Sequence, residues 1–594
     1  SQSWQFGTGL YRQQYSYTGV KADGTTDSSV DGTISAITTT IPGQLDVTSK
    51  YEYNDLRQLE KKTVTVPNQN RGTTTVYTRG YTYAVIAEDD GCNRVGTRLA
   101  STAYTFGSSS RSFDYTYDAA GNIQTVTTGG TNVPAAAASK TYAYDAQGQL
   151  ATETDGSVSC AYAYDTVGNI RSVTTDGAVT KSFGYTNASW PDLLTSVTAN
   201  GTTKDVLYEG QSQTSDLPSS GNPITYYNGK DYTFTWTKGR QLTEATVDGE
   251  QVSYTYDMSG VRSNKQVGDT TYTYTTLSGK VMRQTWGDNN ALEFVYDDGN
   301  QPFAVIYKHG QTTELYYYVL NAQGDVSAIL DSSGKLAASY DYDAWGNCTV
   351  YNNSDAAIGD LNPLRYRGYY YDAETGFYYL QSRYYDPAIC RFINADTYLS
   401  TGQGMLGHNM FTYCGNNPVN YCDSSGRFFF TLLGAMIGAA AGYIDAFIAG
   451  EDPIKGAIAG GVSGAIAGAG VDIGVIITVS TGGAGIGWGF AAAVGLGAAG
   501  AAIGTAISND WKMKKDGESL ALQYMESALI GGMANAISFG LGPINGEIAK
   551  GTVSQIVRSI GYEGMKDFTY NLVTGGIISW FSTFTNRIIS TMLS

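Results

Sequence analysis

The side chains best suited to proton transfer and metal binding are sparse in this 594-residue chain, and their positions exclude much chemistry. Its two histidines, His309 and His408, both precede Phe428, and none of its six cysteines (Cys92, Cys160, Cys348, Cys390, Cys414 and Cys422) lies beyond that point. Residues 428–594 therefore hold neither a histidine-based nuclease nor a Cys-His enzyme built from their own side chains. The cysteines show no Cys-x-x-Cys spacing and no histidine cluster beside them, so no metal and no other cofactor is expected. Their even number permits disulfides, but buried free thiols fit the sequence equally well. No glycine-rich phosphate loop is present. What remains in the C-terminal part is a set of carboxylates, Glu518, Glu526, Glu547 and Glu563, in no recognisable paired motif.

Glycine spacing in the same region points to a different activity. Gly434, Gly438 and Gly442 recur every fourth residue, as do Gly456, Gly460, Gly464 and Gly468, and then Gly500 and Gly504. Small residues at this interval let two helices approach closely within lipid, where apolar surface alone does not drive association. The runs 428–444, 457–471 and 473–507 approach or exceed the roughly 20 apolar residues that span a bilayer. Asp445 and Asp472 interrupt them, and a carboxylate in such surroundings is expected to face a partner helix or an aqueous path. Amphipathic stretches at 519–530 and 577–592 follow, with Trp511 and Trp580 where interfacial anchors would sit. A flexible apolar tether, or the interior of a soluble helical domain, would produce the same composition.

The elements upstream are hairpins. Tyr-x-Tyr-Asp-x-x-Gly recurs at Tyr115/Tyr117/Asp118/Gly121, Tyr142/Tyr144/Asp145/Gly148, Tyr162/Tyr164/Asp165/Gly168, Tyr254/Tyr256/Asp257/Gly260 and Tyr340/Tyr342/Asp343/Gly346. Alternating aromatics place their rings on one strand face, and Asp-x-x-Gly supplies a turn with a residue able to take positive φ. Degenerate copies stand at Tyr51/Tyr53/Asn54 and Phe234/Trp236/Gly239. Stacked hairpins bury a face only against their neighbours, so the repeats by themselves specify one long sheet in which Tyr and Asp are packing and turn residues.

Length requires more than one core. The 47 tyrosines and 73 glycines against 12 prolines favour twisted sheet with glycine turns. A net charge of −17 disfavours a nucleic-acid surface, which needs clustered Lys and Arg, so no nucleic-acid partner is expected. Composition divides the chain into a repeat array (1–350), a block dense in Tyr, Asn and Arg (351–427), a Gly/Ala-rich apolar segment (428–508) and an amphipathic, helical tail (509–594). The opening residues, Ser1-Gln2-Ser3-Trp4, show neither an initiator Met nor a signal segment, as expected of a fragment of a longer polypeptide.

The middle block carries a resemblance. Arg383-Tyr-Tyr-Asp386-Pro387-Ala-Ile-Cys-Arg391-Phe392-Ile393 is similar to the RYYDPxxGRFI element of the Rhs-associated core domain, and Gly415-Asn-Asn-Pro418-Val-Asn420 to its GNNPVN element. That domain closes the YD-repeat array of Rhs polymorphic toxins and Tc-toxin C components. The resemblance spans roughly 1–427 and implies a mainly β fold. In it the repeat hairpins wind into a hollow β-shell closed by the core domain, and a largely helical C-terminal effector region follows.

Members of this family often release their toxin through an aspartyl protease within the core domain. Carried over by position, the carboxyl pair is Asp396 and Asp423, the supporting arginine is Arg383, and the cut falls between Arg427 and Phe428. Ser424 stands where the family motif has Pro, and Arg427 where it has Leu. The Asp396 motif also lacks its Pro and Gly. The resulting expectation is a secreted or cell-surface-delivered toxin whose released effector permeabilises a target-cell membrane. A cognate immunity protein and a delivery apparatus are its implied partners. A shell holding an enzymatic toxin, and a surface protein whose aromatic repeats bind carbohydrate or another cell, are the competing expectations.

Overall fold

The repeat motif builds the long sheets by a fixed local mechanism. The computed structural model describes residues 2–423, apart from 7–8, 17–33, 42, 44–45, 55–57, 69–71, 88–92, 133–138, 212–219, 278, 298–300, 355–356 and 397–408, together with Gly426, 514–515 and 518–519. In each repeat the Asp closes the turn. Asp145 donates its N–H to the Gln149 carbonyl (2.9 Å), while its Oδ1 accepts the N–H groups of Gln147 (2.8 Å) and Gln149 (2.9 Å). The Gln149 amide returns to Oδ2 at 2.8 Å, and Asp165 with Asn169 repeats the pattern. Gly148 and Gly168 take φ of 78° and 80°, a region closed to most side chains, which is why Gly occupies that place.

The two tyrosines of a repeat do different work. The first is buried, as at Tyr115, Tyr142, Tyr162, Tyr254 and Tyr340. The register slips just before the second, between Thr116 and Tyr117, Ala143 and Tyr144, Ala163 and Tyr164, and Thr255 and Tyr256. A bulge there re-aims the side chain. The second hydroxyl then reaches a backbone carbonyl near the start of the preceding strand: Tyr144 to Ile123 (2.7 Å), Tyr164 to Leu150 (2.6 Å), Tyr256 to Leu242 (2.8 Å) and Tyr342 to Val326 (2.8 Å). Each second tyrosine thereby ties its strand to the start of the preceding one; at Tyr144, Tyr164 and Tyr256 the bulge lies in the ladder on the opposite side, and at Tyr342 the ladder runs without a shift.

The result is two antiparallel sheets in strict sequence order, one of 16 strands from Gln2–Phe6 to Thr202–Asp205 and one of 14 from Leu207–Tyr208 to Cys348–Asn352. The single long sheet expected from the repeats is therefore divided at Val206. This residue is buried and donates its N–H to the carbonyl of Thr195, just before the strand Ser196–Ala199 of the first sheet (2.9 Å). Leu207–Tyr208 then pairs with Pro223–Tyr227, where Pro223 has no N–H to give and the register shifts. The sheets meet through a shared apolar cluster: Tyr11, Val64, Val76 and Phe106 of the first with Phe303, Ile306, Tyr317 and Leu330 of the second.

A four-stranded sheet follows, made of Tyr370–Asp372, Phe377–Tyr379, Tyr384–Asp386 and Arg391–Phe392. The described part is thus mainly β, with one α-helical turn at Ile358–Leu361 among the described residues. By contacts the chain forms two compact units, 1–396 with 411–427, and 397–410 with 428–594. The expected membrane segments and their glycines, Gly434 to Gly468, lie outside the described residues. Within the tail expected to be helical, Lys514–Lys515 and Glu518–Ser519 instead form a two-stranded antiparallel pair. In sequence, the intervening Asp516-Gly517 is a dipeptide suited to a two-residue hairpin loop. Among the described residues no helix is long and apolar enough to cross a membrane.

Candidate functional site

Arg383 lies at the entry of the strand Tyr384–Asp386, after a tight connection in which Gln381 has φ of 63°. The Leu380 N–H donates to the Arg383 carbonyl (3.0 Å) and the Ser382 N–H to that of Leu380 (2.7 Å). Asp396 comes after the strand Arg391–Phe392. The Ile393 N–H donates to the Tyr384 carbonyl (3.0 Å), and the Arg240 guanidinium of the 14-stranded sheet holds the carbonyls of Ala395 (2.6 Å) and Asp396. Asp423 arrives from a third direction. Its N–H donates to the Tyr369 hydroxyl (2.8 Å), which lies 3.2 Å from that of Tyr413.

These paths bring the three residues together. One nitrogen, Nη2 of Arg383, lies 2.9 Å from Asp396 Oδ2 and 3.2 Å from Asp423 Oδ2. The two facing oxygens are thus no farther apart than the sum of those distances. All three side chains are at most 5% exposed, so little solvent screens the interaction. The guanidinium rests on the Phe392 ring, with Cζ 3.5 Å from the ring centre. Its Nε donates to the Gly426 carbonyl, which also accepts the Ser382 hydroxyl at 2.6 Å.

Sequence reasoning missed Phe392, Ser382, Gly426 and Tyr369. Phe392 and Gly426 belonged to recognised motifs, but nothing local marked either as a partner of the arginine. Arg427 and Phe428, the expected cut, lie outside the described residues. His309 stacks on Tyr307 (4.5 Å) and lies 3.5 Å from Glu314. The five described cysteines are free, and no group of His, Cys, Asp and Glu able to hold a metal occurs among the described residues.

The surrounding motif residues fasten this block to the two long sheets and their turns. Asn416 donates to Gln149 Oε1 (2.8 Å) and the Gly168 carbonyl (2.7 Å), Asn417 to the Gly148 carbonyl (2.8 Å), and Asn420 Oδ1 accepts the Ile123 N–H (2.8 Å). Asparagines thus satisfy the turn glycines of successive repeats. Asp386 accepts from Tyr226 and Asn228 (both 2.7 Å), and Arg391 donates to the Tyr185 hydroxyl (2.6 Å) and the Asp192 carbonyl (2.9 Å).

Residues 308–419 match the family model described as Teneurin YD-shell. The chain is 38% identical over 218 residues to the tRNA nuclease WapA of Bacillus subtilis, covering 36% of this chain and 9% of that protein. It is 32% identical over 122 residues to the double-stranded DNA deaminase toxin A of Burkholderia cenocepacia, covering 20% of this chain and 8% of that protein. Among solved structures, the TcdB2-TccC3-Cdc42 crystal structure aligns with a TM-score of 0.49 at 18% identity, over 70% of this chain and 21% of that one. The chain therefore spans less than a tenth of the length of either curated relative.

Proposed function

We propose, from the chain's membership of the Rhs/YD-repeat toxin family, that it is the shell and core of a delivered toxin that cleaves itself to free its C-terminal region. The observation that carries this reading is the single guanidinium nitrogen shared by Asp396 and Asp423. Two carboxyls gathered at one point can divide the labour of amide hydrolysis, one taking a proton from water and the other giving one to the departing amine. Arg383 gathers the two carboxyls at one nitrogen, and Phe392 supports the guanidinium. Water adds across the Arg427–Phe428 bond, giving a carboxylate on Arg427 and a free amine on Phe428. On this reading the purified chain runs as two fragments under denaturing conditions, and Asp396→Asn or Asp423→Asn leaves one band. An intact wild-type chain overturns it.

For the released region we propose membrane permeabilisation, supported by the glycine spacing and the near-bilayer apolar runs within 428–508. The shell is then a container, hollow enough to keep apolar surface from the producer's own membrane, with an immunity protein and a delivery apparatus as partners and the outside of the producing cell as destination. The names of the relatives favour a second reading, in which the region acts on nucleic acid. A zinc deaminase site needs His and Cys ligands, and 428–594 contains neither. Expression of 428–594 in cells separates the two. Dye uptake and lost membrane potential with intact tRNA and DNA support the pore, and Gly460→Ile with Gly464→Ile abolishes that uptake. Cleaved or deaminated nucleic acid behind a sealed membrane supports the second reading and refutes the first.

A further inference from the structure

We propose that Ser382 and Gly426 form a register clamp that decides which peptide bond the Asp396–Asp423 pair meets, an inference that rests on the self-cleavage reading. The Gly426 carbonyl receives two donors at once, the Ser382 hydroxyl at 2.6 Å and the Arg383 Nε. Gly426 has φ of +67°, and a Cβ there would lie 2.6 Å from the Leu380 carbonyl oxygen, 3.0 Å from Ser382 Oγ and 3.1 Å from Leu380 Cβ. Backbone conformation and space therefore both demand glycine at this position.

Arg383 makes the clamp a ruler. Its Nε holds the Gly426 carbonyl while Nη2 of the same rigid, planar group contacts both carboxylates. The distance from the held carbonyl to the carboxyl pair is consequently set by covalent geometry. The connection carrying Ser382 is equally constrained by its own backbone bonds to Leu380. A chain held at Gly426 offers the bonds that follow it in one fixed register. Ser382 is a positioning residue, because it acts on the segment to be cut and moves no proton in the reaction.

The test compares intact wild-type, Ser382→Ala, Ser382→Thr and Gly426→Ala chains by fragment mass and rate of processing. Wild type is expected to give a single new N-terminus at Phe428. Ser382→Ala gives a mixture of N-termini at about a tenfold lower rate, as expected for one lost hydrogen bond. Gly426→Ala is slowed roughly a hundredfold, the scale of a misplacement near 1 Å. Ser382→Thr retains the hydroxyl and restores the single N-terminus, which a general loss of stability would not do. A Ser382→Ala chain that cuts at the wild-type bond and rate overturns the clamp and leaves self-cleavage standing. Should wild type remain uncut, the self-cleavage reading and the clamp's role in it fall together. Hydrogen exchange over 419–430, faster in Ser382→Ala than in wild type, then shows whether the clamp survives as a purely structural hold.

Discussion

Replacing Asp372 by Asn should loosen the four-stranded sheet from the 14-stranded one, and the structure sets the scale. Asp372 is fully buried and faces the Arg262 guanidinium with both oxygens, Nη2 lying 3.1 Å from Oδ1, while Lys265 approaches the same carboxylate at 3.3 Å. Arg262 belongs to the 14-stranded sheet and Asp372 to the four-stranded one. The guanidinium sits within 4.4–5.1 Å of the ring centres of Tyr254, Tyr274, Tyr370 and Tyr379, two rings from each sheet. Lys265 retains Glu374 at 2.8 Å, a partly exposed partner. Loss of the Asp372 charge thus strands a buried arginine, a change that costs about 3–5 kcal/mol. At about 1.4 kcal/mol per decade, amides of 370–379 that exchange through local opening should exchange roughly a hundred to several thousand times faster. Replacing both members, Arg262→Met with Asp372→Leu, should recover most of that loss because no charge is left unpaired. The reasoning is refuted if exchange over 370–379 is unchanged in Asp372→Asn, or if the double replacement is as damaging as the single one.

Two further outcomes follow from buried polar groups. Burial, then the neighbouring Asp343 carboxyl, raises Glu153 to about 8 against a weaker pull from Lys140. Glu153 is held by the Ala344 N–H (2.8 Å) and the Tyr162 hydroxyl (3.3 Å). The folded state therefore keeps a proton that the unfolded chain releases near 4.3, and stability should fall as pH rises from there to about 8, by up to about 1.4 kcal/mol per unit. Melting curves from pH 5 to 8 should show this slope in wild type and a shallower one in Glu153→Gln, because buried Asp343 and Asp386 are raised as well; equal slopes would refute the assignment. Asn416→Ala should leave the Gly168 carbonyl and Gln149 amide oxygen short of a donor, costing about 1–3 kcal/mol. Faster exchange confined to the turns at 145–149 and 165–169, with 257–261 unaffected, would bear this out; a uniform change would count against it.

What the sequence reveals is what the chain decides locally. Asp145 and Gln149 are close in sequence and close the turn by themselves, so the repeat could be read before its surroundings were known. The end of the first sheet could not, because it depends on Val206 reaching Thr195 and on the missing N–H of Pro223, neither of which breaks a pattern. The role of the Asn416-Asn417 pair was hidden for another reason. Its targets are backbone carbonyls of Gly168 and Gly148, which carry no side-chain signature. The Arg262 cage joins residues more than a hundred positions apart, and each of its tyrosines reads as ordinary strand packing.

The candidate site shows the same limit more sharply. Asp396 and Asp423 could be paired from sequence only through resemblance, since turn capping accounts equally well for either aspartate alone. What distinguishes them is Arg383, and its usefulness depends on several of its contacts being made at once. Phe392 lies beneath it, two carboxylates meet at Nη2, and the Gly426 carbonyl meets Nε. A lysine could balance the charge, but its single ammonium could not hold a backbone carbonyl and two carboxylates at fixed separations while lying flat on a ring. Arg383→Lys should therefore leave the fold standing, yet process the chain no faster than Asp423→Asn. Processing by Arg383→Lys at the wild-type rate would mean that the arginine supplies charge alone, and that the geometry around it has no part in the cut.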